Sequence, residues 1–168
     1  MAANGFEWRY NISGGRPLIL TFIMKDSETL TRGDMLNLES GEVDLLATGD
    51  TAAVGIFVGP ENPDDATDGQ PGVVSGTDST TVVKSIANPD AVYADRNDTS
   101  ARLAGALLDV SGATGAQTIA SASNNEFVVV ERKRQSSDET RVQFTAPTHY
   151  LSTVSYTHLR AHETGRNL

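Results

Sequence analysis

The sequence predicts an all-β protein with a compact β-barrel or β-sandwich fold. β-Branched residues are frequent along the chain, and Gly, Asn, Asp and Ser interrupt them at short intervals. No window shows the sustained 3.6-residue apolar period of an amphipathic helix. The length of 168 residues fits one domain or two very small ones. We place the β domain at residues 17–153.

The predicted strands alternate with turns from residue 18 onwards. Residues 18–24 are too apolar for a half-exposed strand, which predicts burial on both faces. Residues 61–79 are acidic and rich in Pro and Gly, which predicts a long exposed loop. The other strands are predicted at 34–38, 43–46, 52–58, 80–86, 91–94, 107–110, 117–120, 127–130 and 141–145.

A segment from the first half of the chain recurs 72 residues later. Residues 26–38 align with 98–110, and a Ser-Gly turn follows in both places. With one residue inserted, 54–58 meet 127–130. Two interpretations stay open: duplication of one hairpin unit, or strand and turn patterns that unrelated β segments share. In either case, two similar hairpin units closing one core predict a barrel or a sandwich.

Residues 1–16 are predicted to form an extended N-terminal arm. Phe6, Trp8 and Tyr10 alternate along the chain, so an extended backbone places all three rings on one face. One interpretation is a first strand whose rings lie in the local core. The other is an arm whose aromatic face binds a partner, since Trp and Tyr are favoured anchors. These three residues are the candidate partner-binding residues, and Gly14-Gly15 would let the arm move.

Residues 154–168 resemble translated sequencing-adapter read-through. The eleven residues 154–164 match one reading frame of the transposase adapter used in short-read library preparation. The alternative is a native amphipathic tail in which His158 and His162 lie four residues apart, a spacing that suits a metal site. We expect a non-native tail from residue 154 onwards.

Charge and composition argue against several classes of function. The net charge of −9 disfavours binding to nucleic acid and to anionic membranes, both of which attract cationic proteins. No apolar run in the sequence is long enough to span a bilayer, and the first residues lack the basic-then-apolar pattern, so we expect no signal peptide. The absence of cysteine excludes disulfides, thiolate metal sites and cysteine nucleophiles.

Catalytic motifs are missing from the sequence. Neither a G-x-S-x-G nor an H-E-x-x-H motif is present. His149 is the only histidine before residue 154 and the only group suited to proton transfer at neutral pH. We therefore expect no enzyme, no catalytic residues, no cofactor and no metal site.

Three charged motifs have a structural interpretation beside a functional one. The acidic residues of the loop offer oxygen ligands to calcium but lack the EF-hand spacing, so a solvated loop is the alternative. They are Glu61, Asp64, Asp65 and Asp68. Residues 32–34 spell Arg-Gly-Asp, the integrin tripeptide, yet their position predicts the entry to a hairpin. The basic cluster 132–134 is typical of a hairpin tip, with an acidic patch on a neighbouring subunit as the alternative partner.

Several short motifs together resemble the head decoration proteins of tailed bacteriophages. The motifs are Asn-Pro-Asp-Ala-Val-Tyr at 88–93, Ala104-Gly105, residues 110–117, residues 127–130 and His149-Tyr150. The similarity is clearest over 84–151 and looser over 18–60, through the Gly-Asp-x-Leu hairpin at 33–36 and residues 54–57. The acidic loop and the C-terminus depart from the family pattern.

The resemblance implies a compact, non-enzymatic β-barrel or β-sandwich that stabilises the outside of an icosahedral shell. Its partners would be the major capsid protein and two further copies in a homo-trimer. Its location would be the outer capsid surface of the virion, after synthesis in the host cytoplasm.

Two other functions stay open. The first alternative is a phage tail or fibre-associated β module that binds a host receptor or glycan, which exposed aromatic residues on a loop would favour. The second is a hydrolase, which a tight pocket holding His149 beside a buried carboxylate would favour.

Overall fold

The computed structural model describes residues 5–67, 72–76, 80–95, 97–98, 100–121, 123–131 and 139–151. Within these ranges the chain forms thirteen β-strands and one 3₁₀ turn, Pro63–Asp65. The strands are β1 Phe6–Asn11, β2 Ile19–Met24, β3 Thr29–Thr31, β4 Met35–Glu39, β5 Glu42–Leu45, β6 Ala53–Pro60, β7 Val73–Ser75, β8 Val82–Ile86, β9 Ala91–Asp95, β10 Leu107–Ser111, β11 Thr118–Ser121, β12 Phe127–Glu131 and β13 Thr140–Phe144.

These strands form a closed barrel, a six-stranded sheet and a separate pair. The barrel has the strand order β2-β5-β4-β6-β8, and the sheet has the order β1-β9-β13-β12-β10-β11. Strand β3 pairs with β7. The pairing is antiparallel except between β2 and β5, which are parallel. The predicted all-β fold with a compact barrel is therefore confirmed.

Two hydrophobic cores hold this architecture together. One fills the barrel, and the other lies between the barrel wall and the six-stranded sheet. Strand β4 serves both, because neighbouring side chains of a strand point to opposite faces: Leu36 packs inside the barrel and Met35 packs against the sheet. The second core contains a stack of rings, in which Phe127 lies 4.7 Å from Phe144 and 5.4 Å from Phe6.

The predicted internal repeat has a structural counterpart. Strands β5-β4-β6-β8-β2 of the barrel, here called the first unit, have the same order as β11-β10-β12-β13-β9 of the sheet, the second unit. Met35 lies opposite Ile56 in the first unit, and Leu107 opposite Val128 in the second, each 72 residues later. The sequence alignment inserted one residue before β12, whereas this pairing needs no net insertion.

Backbone hydrogen bonds repeat with the same offset. The N–H of Gly33 donates to the carbonyl of Phe57, and the N–H of Gly105 donates to that of Val129. The two units differ in one turn. The hairpin between β4 and β5 closes with residues 40–41, whereas that between β10 and β11 uses 112–117, four residues more.

Two expectations about individual segments are wrong. Residues 18–24 were expected to be buried on both faces, but Ile19 is 54% exposed and Ile23 is 44% exposed. Their side chains point out of the barrel, where no described element covers them. The loop predicted at 61–79 contains β7, whose Val74 is fully buried because β7 pairs with β3 over the barrel core.

Candidate interaction surface

The N-terminal aromatic residues belong to a strand of the sheet. Over residues 6–11 the predicted arm is β1, which pairs with β9. A β-bulge at Arg9 shifts the register, so that Trp8 lies opposite Tyr93 and Tyr10 lies opposite Val92. A bulge adds one residue and reverses the alternation of faces. The expected single face with three rings is therefore corrected: Tyr10 lies on the side opposite to Phe6 and Trp8.

Each of the three rings has its own surroundings. Phe6 is buried in the core between barrel and sheet, and Trp8 packs half-buried against the same core. The indole N–H of Trp8 donates to Oδ1 of Asn11 at 3.1 Å. The Asn11 amide in turn donates to the carbonyls of Gly15 and Arg16, which ties down the segment after β1. Partner binding through Trp8 and Tyr10 stays a prediction.

Tyr10 is part of a charged network on the outer face of the sheet. Its hydroxyl donates to Oε1 of Glu131 at 2.7 Å, and the guanidinium of Arg141 lies 5.9 Å from its ring centroid. Arg9 and Arg141 both donate to Glu139. The hydrogen bond from Tyr10, together with Arg141, holds the pKa of Glu131 below its usual range. The polar groups on this face are thus largely paired within the chain.

His149 is fully buried next to Phe144, with 5.6 Å between the ring centroids. Its Nδ1 accepts a hydrogen bond from the N–H of Leu151 at 3.2 Å. Its backbone bridges to Ala53 of the barrel, so it joins the C-terminal segment to the first unit. Burial lowers the pKa of the imidazole to about 4, which keeps it neutral at pH 7.

The acidic loop shows ordinary turn geometry where it is described. Asn62 caps the 3₁₀ turn by accepting a hydrogen bond from the N–H of Asp64, and Asp64 and Asp65 are exposed. Among the described residues, no three His, Asp or Glu side chains are grouped to hold a metal ion. Asp68, the basic cluster 132–134 and the tail 154–168 lie outside the described residues.

A buried polar junction joins the two units, and sequence reasoning missed it. The carboxylate of Asp34, from the Arg-Gly-Asp motif, is fully buried and accepts hydrogen bonds from Thr31, Thr114 and Gly115. Burial raises its pKa, and these hydrogen bonds oppose that rise. Thr114 and Gly115 belong to the 112–117 turn. The longer turn of the second unit therefore contacts the first unit through Thr114 and Gly115.

Gln117 completes the junction from the end of the same turn. Its Oε1 accepts a hydrogen bond from the N–H of Met35 at 2.5 Å, and its Nε2 donates to the carbonyl of Leu46 at 2.7 Å. All of these groups are buried, so each needs its partner. The only sign of this junction in the sequence was that the second Ser-Gly turn is separated from its next strand by more residues than the first Ser-Gly turn is.

The repeat reveals an uncovered face on the second unit. In the first unit, the pair Met35 and Ile56 is buried under the sheet. The equivalent pair in the second unit is Leu107 and Val128, which lies on the outer face. Leu107 is 45% exposed, and Leu103, which lies in the loop before β10, is 65% exposed. We call the pair Leu107 and Val128 the outer aliphatic face.

A second exposed apolar strip lies on β2 of the barrel. Leu18 is 42% exposed, and Ile19 and Ile23 follow on the outer side. The large apolar residues that are exposed in the described ranges are all aliphatic, namely Ile12, Leu18, Ile19, Ile23, Leu103 and Leu107.

Comparison with known proteins gives no assignment. No protein-family model matches the chain, and the search of curated proteins found no match. In the described ranges, none of the helical segments has the length and apolarity needed to cross a bilayer.

Proposed function

We propose that the chain is a structural head decoration protein of a tailed bacteriophage, which binds the outer surface of the capsid and stabilises the shell. The observation that carries this proposal is the outer aliphatic face. Its counterpart in the first unit is covered by another β layer, so the exposed copy is suited to cover or be covered by a neighbouring protein. The resemblance to the decoration family supplies the identity of that neighbour, the major capsid protein.

The chemistry of the chain supports a binding role. An apolar contact of this kind gains free energy by removing aliphatic surface from water. The net charge of −9 keeps the remaining surface soluble and discourages contact between particles. The buried polar groups described above pair with groups of the fold, and neutral, buried His149 serves to attach the C-terminal segment. The three-fold association that the resemblance implies stays a prediction.

Stabilisation of the shell would follow from mass action. A protein that binds the assembled shell but not its separated subunits shifts the equilibrium toward assembly. The proposal therefore needs binding only, and no chemical step. Removing the side chain of Leu107 should weaken that binding without harming the fold, because half of this side chain already lies in water.

The test uses empty shells of the major capsid protein encoded nearest to this chain on the same genome. The full chain should co-sediment with these shells and raise their disruption temperature. Leu107→Ser should weaken binding by about tenfold, the equivalent of losing part of one buried leucine. Ile12→Ser is the matched control, because Ile12 is similarly exposed but lies outside the outer aliphatic face.

Electron microscopy of shells mixed with the chain shows where on the particle the chain binds. Density on the outside of the shell, lost with Leu107→Ser and kept with Ile12→Ser, would support the proposal. Density on the tail, or shells whose stability does not respond to the chain, would contradict it and favour the receptor-binding or glycan-binding alternative.

A further inference from the structure

Strand β2 has an open backbone edge. The carbonyl of Leu18 accepts from the N–H of Ala87, and the N–H of Met24 donates to the carbonyl of Thr81, so the even-numbered residues face β8. In an antiparallel pair the intervening residues direct their N–H and C=O groups away from the partner strand. The backbone groups of Ile19 and Thr21 therefore point to the opposite side.

Little covers that opposite side within the described ranges. Strand β5 is the barrel neighbour there, and its register with β2 begins only at Ile23 and Met24. Residues 18–22 therefore line an edge without a described partner strand. Natural proteins usually protect such an edge with a charge, a proline or a bulge. Residues 18–22 have none of these, and Pro17 stands just before them.

The second unit shows which kind of strand fits beside the open edge of β2. Strand β9 is the counterpart of β2, because each pairs antiparallel with the last strand of its unit. The free side of β9 is filled by β1, which runs antiparallel to it. By the repeat, an antiparallel strand belongs beside β2 as well, and the first unit does not supply one from its described residues.

We propose that the occupant is β2 of a second copy of this chain, joined to the first by a two-fold axis through Leu20. In this register Ile19 of each copy lies opposite Thr21 of the other. The N–H and C=O groups of these two residues, four groups on each strand, then form hydrogen bonds across the axis. Leu18 lies opposite Phe22, and Leu20 meets its own symmetry mate. The pairing ends before Ile23, where β5 already occupies the edge.

The edge is self-complementary in charge as well as in shape. Residues 17–24 are uncharged, so two acidic molecules can approach here without placing like charges opposite one another. Exposed Ile19 of each copy also gains a neighbour on the outer face. An interface of this length falls below the roughly 1,200 Å² of standard complexes, so we expect a dimer that dissociates in the micromolar range.

Analytical ultracentrifugation of the full chain over a range of concentrations tests the inference. The free protein should form a concentration-dependent dimer. Thr21→Glu places two like charges beside the axis and should weaken the dimer at least tenfold, with an unchanged melting temperature measured where the protein is monomeric. Ser121→Glu is the matched control, because it adds the same charge to the exposed edge strand β11.

Three results would overturn the inference. They are a monomer at the highest soluble concentration, a dimer equally weakened by Ser121→Glu, and a dimer or trimer that is unaffected by Thr21→Glu. Because these measurements use the free chain without any shell, their outcome is separate from that of the proposed function.

Disulfide cross-linking tests the register of the two β2 strands. The chain has no cysteine of its own, so any disulfide must form between the introduced residues. A mixture of Ile19→Cys and Thr21→Cys chains should form a mixed disulfide under an added oxidant faster than either variant alone. The Cα atoms of a hydrogen-bonded antiparallel pair lie about 5.5 Å apart, within disulfide range. Faster cross-linking of Thr21→Cys to itself, or no preference, would contradict the two-fold axis through Leu20.

Discussion

Burial of His149 predicts a loss of stability in mild acid. The imidazole has a pKa of about 4 in the folded protein and 6.5 as its ordinary value. As the pH falls below 6.5, His149 binds a proton in the unfolded chain but stays neutral in the folded chain until the pH approaches 4. The free energy of unfolding contributed by this group is therefore complete above pH 6.5 and is lost between about pH 6.5 and pH 4.

The expected size of the effect follows from these two pKa values. Linkage gives a loss of about 2 kcal/mol between neutral pH and pH 5, and of about 3 kcal/mol by pH 4. Asp109 titrates in a separate range. Burial opposes its ionisation, but hydrogen bonds from Ser123, Asn125 and Asn124 lower its pKa to about 2, so its contribution is lost only below pH 3.8.

The assay is urea unfolding at neutral pH and near pH 5, comparing the native chain with His149→Phe. The phenyl ring keeps the contact with Phe144 but cannot take up a proton. The variant loses the acceptor for the N–H of Leu151, which costs about 1 kcal/mol at every pH. The native chain should therefore be about 1 kcal/mol more stable than the variant at neutral pH and about 1 kcal/mol less stable near pH 5, a change of about 2 kcal/mol in their difference. Parallel pH profiles would refute the assignment of this transition to His149.

Three further substitutions test the fold. Gln117→Leu leaves the buried N–H of Met35 and the buried carbonyl of Leu46 without this partner, and it should lower the free energy of unfolding by about 3 kcal/mol. The control Gln143→Leu removes a half-buried glutamine whose hydrogen bond to Pro89 is exposed, and it should cost about 0.5 kcal/mol. Equal losses of unfolding free energy in urea would contradict the role of Gln117 in the junction. Trp8→Ala should lower the free energy of unfolding by about 2 kcal/mol, because Trp8 packs against the core between barrel and sheet. An unchanged melting temperature would instead favour a partner-binding role for Trp8. Gly55→Ala places a Cβ atom 1.9 Å from the carbonyl oxygen of Ile86, so it should lower the free energy of unfolding by at least about 3 kcal/mol. The control Gly41→Ala has no atom within 4 Å of the new Cβ and should cost only about 1 kcal/mol of backbone strain. Similar melting temperatures for the two variants would contradict a steric cost at Gly55.

The repeat illustrates how much of the fold was readable from the chain. Strand positions and turns were predictable because alternation of apolar residues and the placement of Gly, Asn and Asp are local properties. The offset of 72 residues was visible for the same reason, and it reappears in the pairing of Met35 with Ile56 and of Leu107 with Val128. The loop at 61–79 was harder, since pairing of β7 with β3 depends on a distant partner.

The N-terminal rings show where local patterns fail. An alternation of Phe6, Trp8 and Tyr10 indicates one face only while the strand is regular. The bulge at Arg9 arises from the register with β9, more than eighty residues away, and it turns Tyr10 to the other side. The Arg-Gly-Asp motif is similar, because nothing near Asp34 in the sequence shows that the 112–117 turn will bury it.

The sequence by itself determined the all-β class, the positions of most strands along the chain and the absence of cysteine chemistry, because these depend on composition and on neighbours along the chain. The tertiary structure alone decided which apolar surfaces are covered. Met35 and Leu107 occupy equivalent places, yet one is buried and the other is exposed, since a second layer packs on only one of the two units. Burial is a property of contacts between distant segments, so the surfaces left for partners become visible only once those segments are in place.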